Sequence, residues 1–324
     1  MKRAVLVVGM VVTLLASVSM TAATADPVFG RQFGLDRYGT AAAVSQVAFP
    51  SGSNVVFLAS GQSFPDALAG GPYAASYQAP ILLVTQSSVP NATAVELSRL
   101  HPKQIILLGG TSSISSGVSQ AVAKYASVEV RRISGADRYD TAAQISSGFN
   151  APLTTVYVAS GADFPDALAG GPAIAGTSGG PVLLVQPDAI PASIAAELTR
   201  LKPKDIVVLG GSSTISDAVV AKLATYAVDP PLRRAGTDRY DTAAKVSSAF
   251  ASAPKVYLAT GESFPDALAG GAVAGMVKGP ILLVHQNCIP FEVNLEITRL
   301  NPTNVILLGG ESSLGPAVLA RQVC

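Results

Sequence analysis

The sequence predicts an α/β protein made of three copies of one unit, each a parallel sheet with helices on both faces. Three observations carry that prediction. The string Phe64-Pro65-Asp66-Ala67-Leu68-Ala69-Gly70-Gly71 recurs unchanged from Phe164 and again from Phe264, 100 residues apart each time. Short runs that are apolar at every position alternate with helical segments, and strands apolar on both faces belong to a parallel sheet covered on two sides. The composition, 49% apolar and 13% charged, supplies a large core and excludes a disordered chain. Solenoid units run to about 20–50 residues, so this longer period marks small domains.

The second repeat shows the elements in order. Residues 128–133 form a strand, and residues 141–146 open a helix. Residues 155–159 are β-branched and aromatic and end at Ser160-Gly161, which marks a second strand and its turn. Residues 164–169 form a short apolar helix that Gly170-Gly171 is expected to stop. No glutamate or lysine interrupts that helix in any copy, so burial is its expected fate. Residues 181–185 are a buried strand, Ala192–Leu201 an amphipathic helix after Pro191, and Asp205–Leu209 a further buried strand. A last helix is expected over residues 217–226. The markers Asp36-Arg37-Tyr38, Leu108-Gly109-Gly110 and Arg99-Leu100 also return twice each, in the same order.

The first residues read as an address. Met1-Lys2-Arg3 precedes an uncharged run over residues 4–20, and Ala23-Thr24-Ala25 completes a cleavage pattern, the order of a secretory signal peptide over residues 1–25. Cleavage is expected to leave 299 of the 324 residues, beginning at Asp26, in the extracellular space or wall and free of the membrane. In that oxidising setting Cys288 and Cys324 are expected to pair. Closing a loop of 36 residues is worth roughly 3–4 kcal/mol in the chain-entropy picture.

A net charge of +1 argues against nucleic acid as the main partner, which would require a basic excess or patch. His101 and His285 occupy different places in their repeats, so no repeated Ser-His-Asp set exists. Neither H-E-x-x-H nor a cysteine cluster is present, and glycine patterns for nucleotides are missing. No metal or cofactor is expected.

The repeated polar residues fall where strands give way to helices, and open parallel sheets bind ligands outside the carboxyl ends of their strands. Ser63-Phe64-Pro65-Asp66 has capping-box spacing, which makes Asp66, Asp166 and Asp266 structural caps. Gly109-Gly110 and its counterparts suit a tight turn into a helix, or an anion cradle of backbone N–H groups. Arg37, Arg138 and Arg239, with Arg31, Arg132 and Arg233 six residues upstream, are the more informative feature. They fit anion binding and, equally, internal ion pairs such as Arg37 with Asp36 or Asp66. Arg99, Arg200 and Arg299 follow Glu96, Glu197 and Glu296 by three residues, an ordinary pair on a solvated helix face. Three copies of a unit suit multivalent binding better than one active site.

The order D-R-Y-x-T-A-A, S-G-x-x-F-P-D-A-L-A-G-G, P-I-L-L-V and L-G-G, three times over, resembles the cell wall binding repeat 2 family of Gram-positive bacteria. The resemblance spans nearly all of the chain after residue 25. It implies repeats at 26–126, 127–227 and 228–324, folded as flavodoxin-like, Rossmann-like modules in a pseudo-threefold ring. It also implies a noncovalent anchor that holds an anionic secondary wall polymer, teichoic-acid-like or otherwise. The family's Ile-Leu-Leu motif falls at Ile81-Leu82-Leu83 and Ile281-Leu282-Leu283, and departs by one methylene at Val182-Leu183-Leu184. These residues join the two arginine triplets as the expected ligand-binding set. Members often carry an amidase or protease domain beside the repeats. Here none follows before Cys324, so a non-enzyme is expected, with an accessory of an N-acetylmuramoyl-L-alanine amidase type of hydrolase as the alternative. Removing Arg37, Arg138 and Arg239 together is expected to cost far more binding than removing any one.

Overall fold

A computed structural model describes residues 26–324; the signal-peptide expectation lies outside the described residues. The first repeat forms β1 (Val28–Gln32), α1 (Arg37–Ala48), β2 (Val55–Ser60), α2 (Pro65–Ser76), β3 (Ile81–Val84), α3 (Asn91–Leu100), β4 (Gln104–Leu108) and α4 (Ser116–Val122). The second forms β5 (Glu129–Ile133), α5 (Arg138–Ser146), β6 (Thr155–Ser160), α6 (Pro165–Thr177), β7 (Val182–Val185), α7 (Ala192–Leu201), β8 (Asp205–Leu209) and α8 (Asp217–Leu223). The third forms β9 (Leu232–Arg234), α9 (Arg239–Ser247), β10 (Lys255–Thr260), α10 (Pro265–Met276), β11 (Ile281–Val284), α11 (Phe291–Leu300), β12 (Asn304–Leu308) and α12 (Pro316–Leu319).

These strands build three four-stranded parallel sheets, ordered β3-β2-β4-β5, β7-β6-β8-β9 and β11-β10-β12-β1. Each sheet runs second, first, third, fourth, the flavodoxin-like order, which reverses direction between its two central strands. The fourth strand of every sheet comes from the following repeat. β5 pairs with β4, β9 with β8, and β1 closes the ring on β12, from Val28↔Asn304 to Gln32↔Leu308. The helix after each such strand crosses to the next module, as α1 does in packing on α3 and β3. The Asp-Arg-Tyr segment therefore lies at a seam between modules.

Helices α2, α6 and α10 pack on one another along the pseudo-threefold axis. Phe64, Phe164 and Phe264 meet at one end, with ring centroids 5.7–5.9 Å apart. At the other end a Cβ on Gly275 would lie 2.5 Å from that of Ala175. The expectation of buried helices holds, with Leu68, Leu168 and Leu268 at 3–5% exposure. The expected glycine stop does not. All three helices run through the Gly-Gly pair, as α2 does to Ser76. Gly70 is there for contact: a Cβ would sit 2.2 Å from Leu108 Cδ1 of the sheet beneath.

Candidate functional site

Loops at the C-terminal edges of the first sheet and of the sheet closed by β1 form clefts at the point where strand order reverses. In the first cleft, about 370 Å³, Ser60, Asp66, Ser112 and Ser113 face Asp137 and Arg138 of the next repeat. The cleft on the sheet closed by β1 is about 220 Å³ and sets Asp266, Ser312 and Ser313 against Asp36 and Arg37. Sheets, turns and repeat seams thus converge on three related places.

The Asp-Arg-Tyr and Ser-Gly motifs interlock there. Asp36, Asp137 and Asp238 are the N-caps of α1, α5 and α9, accepting from backbone N–H groups such as that of Gly39 at 2.8 Å. The arginines of the motif each donate through Nη1 to a glycine carbonyl, Gly61, Gly161 or Gly261, at 2.5 Å. The tyrosine rings lie over the same glycines, and a Cβ on Gly161 would come within 2.5 Å of Tyr139. Thr40, Thr141 and Thr242 complete the turn by accepting from Gly34, Gly135 and Gly236. The caps and threonines were not singled out from the sequence, although an Asp three residues before a turn's first free N–H is a cap signal.

Arg37, Arg138 and Arg239 make no ion pair among the described residues. The ion-pair alternative for them is thereby removed. Arg138 stands 5.7 Å from the Phe64 ring and Arg239 5.9 Å from the Phe164 ring, within cation–π range. One N–H of each guanidinium is fixed, and the side chain is steered toward the axial end of the seam.

Arg31, Arg132 and Arg233 have a different position. They donate to the carbonyls of Gly309, Gly109 and Gly210 at 2.7–2.8 Å, holding the turn after β12, β4 and β8. Arg233 also pairs with Asp217. Burial lowers the pKa of Arg31 and Arg132, with Glu311 opposing the shift at Arg31.

Two expectations need correction. Ile81, Leu82, Leu83, Val182, Leu183, Leu184, Ile281, Leu282 and Leu283 are at most 1% exposed, although β3, β7 and β11 are edge strands of their sheets. They shape the core and have no surface to offer a polymer. Asp66, Asp166 and Asp266 do not cap α2, α6 and α10, which have no side-chain cap. Asp66 Oδ2 instead accepts from Ser113 Oγ at 3.0 Å, and Asp266 from Ser313 at 2.9 Å. Burial pushes the carboxyls of Asp66 and Asp166 up, opposed by Ser113 and Arg138 at the first and by Arg239 at the second. Gly109, at φ 101°, leaves room for Asp66, since a Cβ there would lie 2.1 Å from its Oδ2.

The Glu-Arg helix pairs are also not a solvated face. Glu96 is fully buried, takes two hydrogen bonds from Arg99, and receives Ser45 Oγ at 2.5 Å. Arg99 reaches on to the Phe49 carbonyl. The pair clasps the end of α1 to α3, far from the clefts. Cys288 and Cys324 are bonded, with Cα atoms 5.2 Å apart. Among the described residues no helix is long and apolar enough to cross a membrane.

A family model described as Cell wall binding domain 2 matches residues 31–119, 132–220 and 233–319. The chain is 29% identical over 297 residues to N-acetylmuramoyl-L-alanine amidase LytC of Bacillus subtilis (strain 168), covering 91% of this chain and 58% of that protein. It is 30% identical over 290 residues to an amidase enhancer from the same organism, covering 88% of this chain and 39% of the relative. The chain thus spans roughly four- to six-tenths of these relatives. Among solved structures, Cwp8 from Clostridium difficile matches with TM-score 0.81 and 26% identity, over 90% of this chain and 51% of that one. Cwp6 from the same organism matches at TM-score 0.81 and 24% identity, over 90% and 48%, a likeness of fold.

Proposed function

The chain belongs to the cell wall binding domain 2 family, and from that premise we propose that it attaches noncovalently to the wall by holding an anionic secondary wall polymer, without chemistry of its own. The observation that carries this reading is the seam arginine. Arg37 and Arg138 line clefts and Arg239 holds the equivalent seam position, each with one N–H on a carbonyl and no carboxylate partner among the described residues. Guanidinium meets phosphate or carboxylate bidentately. One such contact near solvent contributes on the order of 1 kcal/mol. Rigidly spaced contacts to one polymer add through effective concentration and raise avidity by roughly 10²–10⁴. A net charge of +1 does not oppose this, because local clusters steer a polyanion whatever the sum. We place Arg31, Arg132 and Arg233 behind these residues, as braces of the turn.

Co-sedimentation with purified Gram-positive sacculi tests the reading. Binding is expected to fall with added salt and on sacculi stripped of anionic polymer by mild acid. The triple variant Arg37→Ala/Arg138→Ala/Arg239→Ala is expected to bind at least about tenfold more weakly, as loss of avidity implies, with its circular dichroism and melting unchanged. A folded triple variant that binds as wild type places the ligand elsewhere.

A second reading, assistance to a wall hydrolase, is favoured by the likeness to the amidase enhancer. It predicts that the protein raises the rate of a wall amidase acting on sacculi, which anchoring alone does not.

A further inference from the structure

We infer that the three clefts are unequal and that the first, between β2–β5 and the start of α5, takes the anionic unit of the polymer. This rests on the wall-polymer reading and chooses among sites that the repeats make look identical. The choice comes from residues that differ between copies. Gln62 of the first cleft corresponds to Ala162 and Glu262. Ser63 corresponds to Asp163 and Ser263. Thr111 corresponds to Ser212 and Glu311. At all three positions the first repeat is neutral, and at each of them one of the other copies carries an exposed carboxylate.

Electrostatics follow from these differences. Asp163 acts on half-buried Asp166, and Glu311 on Arg31, so these acids reach the sites they border. In the first cleft the two nearby acids are already occupied. Asp66 is held by Ser113, and Asp137 takes the N–H groups of Tyr139 and Asp140. Asp140 and its counterpart Asp241 turn back onto the backbone N–H groups of Ala136 and Thr237, at 2.9 Å each. An incoming anion therefore meets Arg138 without a free rim carboxylate to repel it.

Shape points the same way. The first cleft is larger than the one closed by β1, about 370 against 220 Å³. Arg138 is exposed, whereas Arg37 and Arg239 are half-buried. Gln62 lines the cleft and accepts from the Gln86 backbone N–H at 3.0 Å, which leaves its NH₂ available as a donor. With Gln86 and Ser112 it offers neutral hydrogen-bonding groups suited to sugar hydroxyls. The ligand unit this fits is a glycan carrying a single phosphate or carboxylate. Leu35, fully exposed beside the cleft closed by β1, gives that site an apolar lip instead.

The test transplants the acids that the chain already carries elsewhere. Gln62→Glu/Thr111→Glu copies Glu262 and Glu311 at exposed positions, so folding is retained, and the change in charge is the variable. Affinity for polymer-bearing sacculi is expected to fall about fivefold or more for this pair, the upper range for exposed charges. Among the single variants Arg138→Gln is expected to lose the most, about fivefold, while Arg37→Gln alone changes binding by less than about twofold; the triple arginine variant loses more than either. A charge pair that shifts affinity by less than this, or equal losses at Arg37, Arg138 and Arg239, overturns the inequality and leaves the polymer reading standing. Wild-type protein that binds stripped and intact sacculi equally removes the polymer reading itself, and the inference with it.

Discussion

Asp66 shows how one side chain can recur in every copy and still serve the fold. It is 7% exposed, yet its partners are a hydroxyl and a glycine that makes room for it. Burial raises its carboxyl above the ordinary range, Ser113 and Arg138 pulling against the shift. The folded state therefore holds the proton more tightly than the unfolded chain. That contribution to stability is complete below the ordinary carboxylate value and is lost as pH rises through the raised one. Asp66→Asn/Asp166→Asn is expected to flatten the loss of stability from weakly acidic pH toward neutrality, read as denaturant midpoints across that range. A wild-type profile already flat, or one that declines equally in the variant, contradicts this account. At this scale the sequence was legible where a residue recurred and misleading about partners. The S-x-x-D spacing suggested a cap, but the helix begins with proline and the aspartate turns toward a loop 47 residues away.

Helix α2 makes a similar point about elements. Gly70 and Gly71 are adjacent and together resemble a terminator, because glycine disfavours helix interiors. The helix continues because its neighbours demand small residues. A Cβ at Gly70 would meet Leu108 at 2.2 Å, and Leu108 is sealed in the sheet, whereas a Cβ at Gly71 meets nothing within 4 Å. Gly70→Ala is expected to cost about 1–3 kcal/mol through overpacking. Gly71→Ala is expected to be neutral or to stabilise by up to about 1 kcal/mol through helix propensity. Chemical denaturation of the pair measures the contrast, and equal costs would show that the axis is packed against both. Strands such as β3 were plain in the sequence because continuous apolar runs have few other homes. The unequal rims were hidden for the opposite reason: attention to what recurs at Asp66 or Arg138 passes over Gln62, Ser63 and Thr111, which do not.

At the scale of the molecule, the parallel α/β architecture was readable and the exchange of strands was not. β1, β5 and β9 descend from one pattern, so each fits any of the three sheets, and local sequence cannot say whether a repeat keeps its first strand or lends it. The ring makes the choice. It gives the third sheet a fourth strand that only the start of the chain can supply, with Arg31 reaching 278 residues along the sequence to Gly309. Deleting residues 26–33 is expected to strip the edge of β12, lower stability by roughly 2–4 kcal/mol from lost burial of Phe29 and its neighbours, and promote self-association through the bared edge. Light scattering and denaturation would show both, and a monomer of wild-type stability would mean that β1 is dispensable.

The strand exchange also has a consequence in time. Chains are made from the N-terminus, so β1 is the first strand completed while its partner β12 is among the last. Between the two events all three repeats must be synthesised, and the two inner sheets can close as soon as β5 and β9 emerge. The third sheet must wait. Its strand β12 has an open side until a segment made long before swings back to cover it. Assembly of the ring is thus paced by its oldest strand meeting one of its youngest.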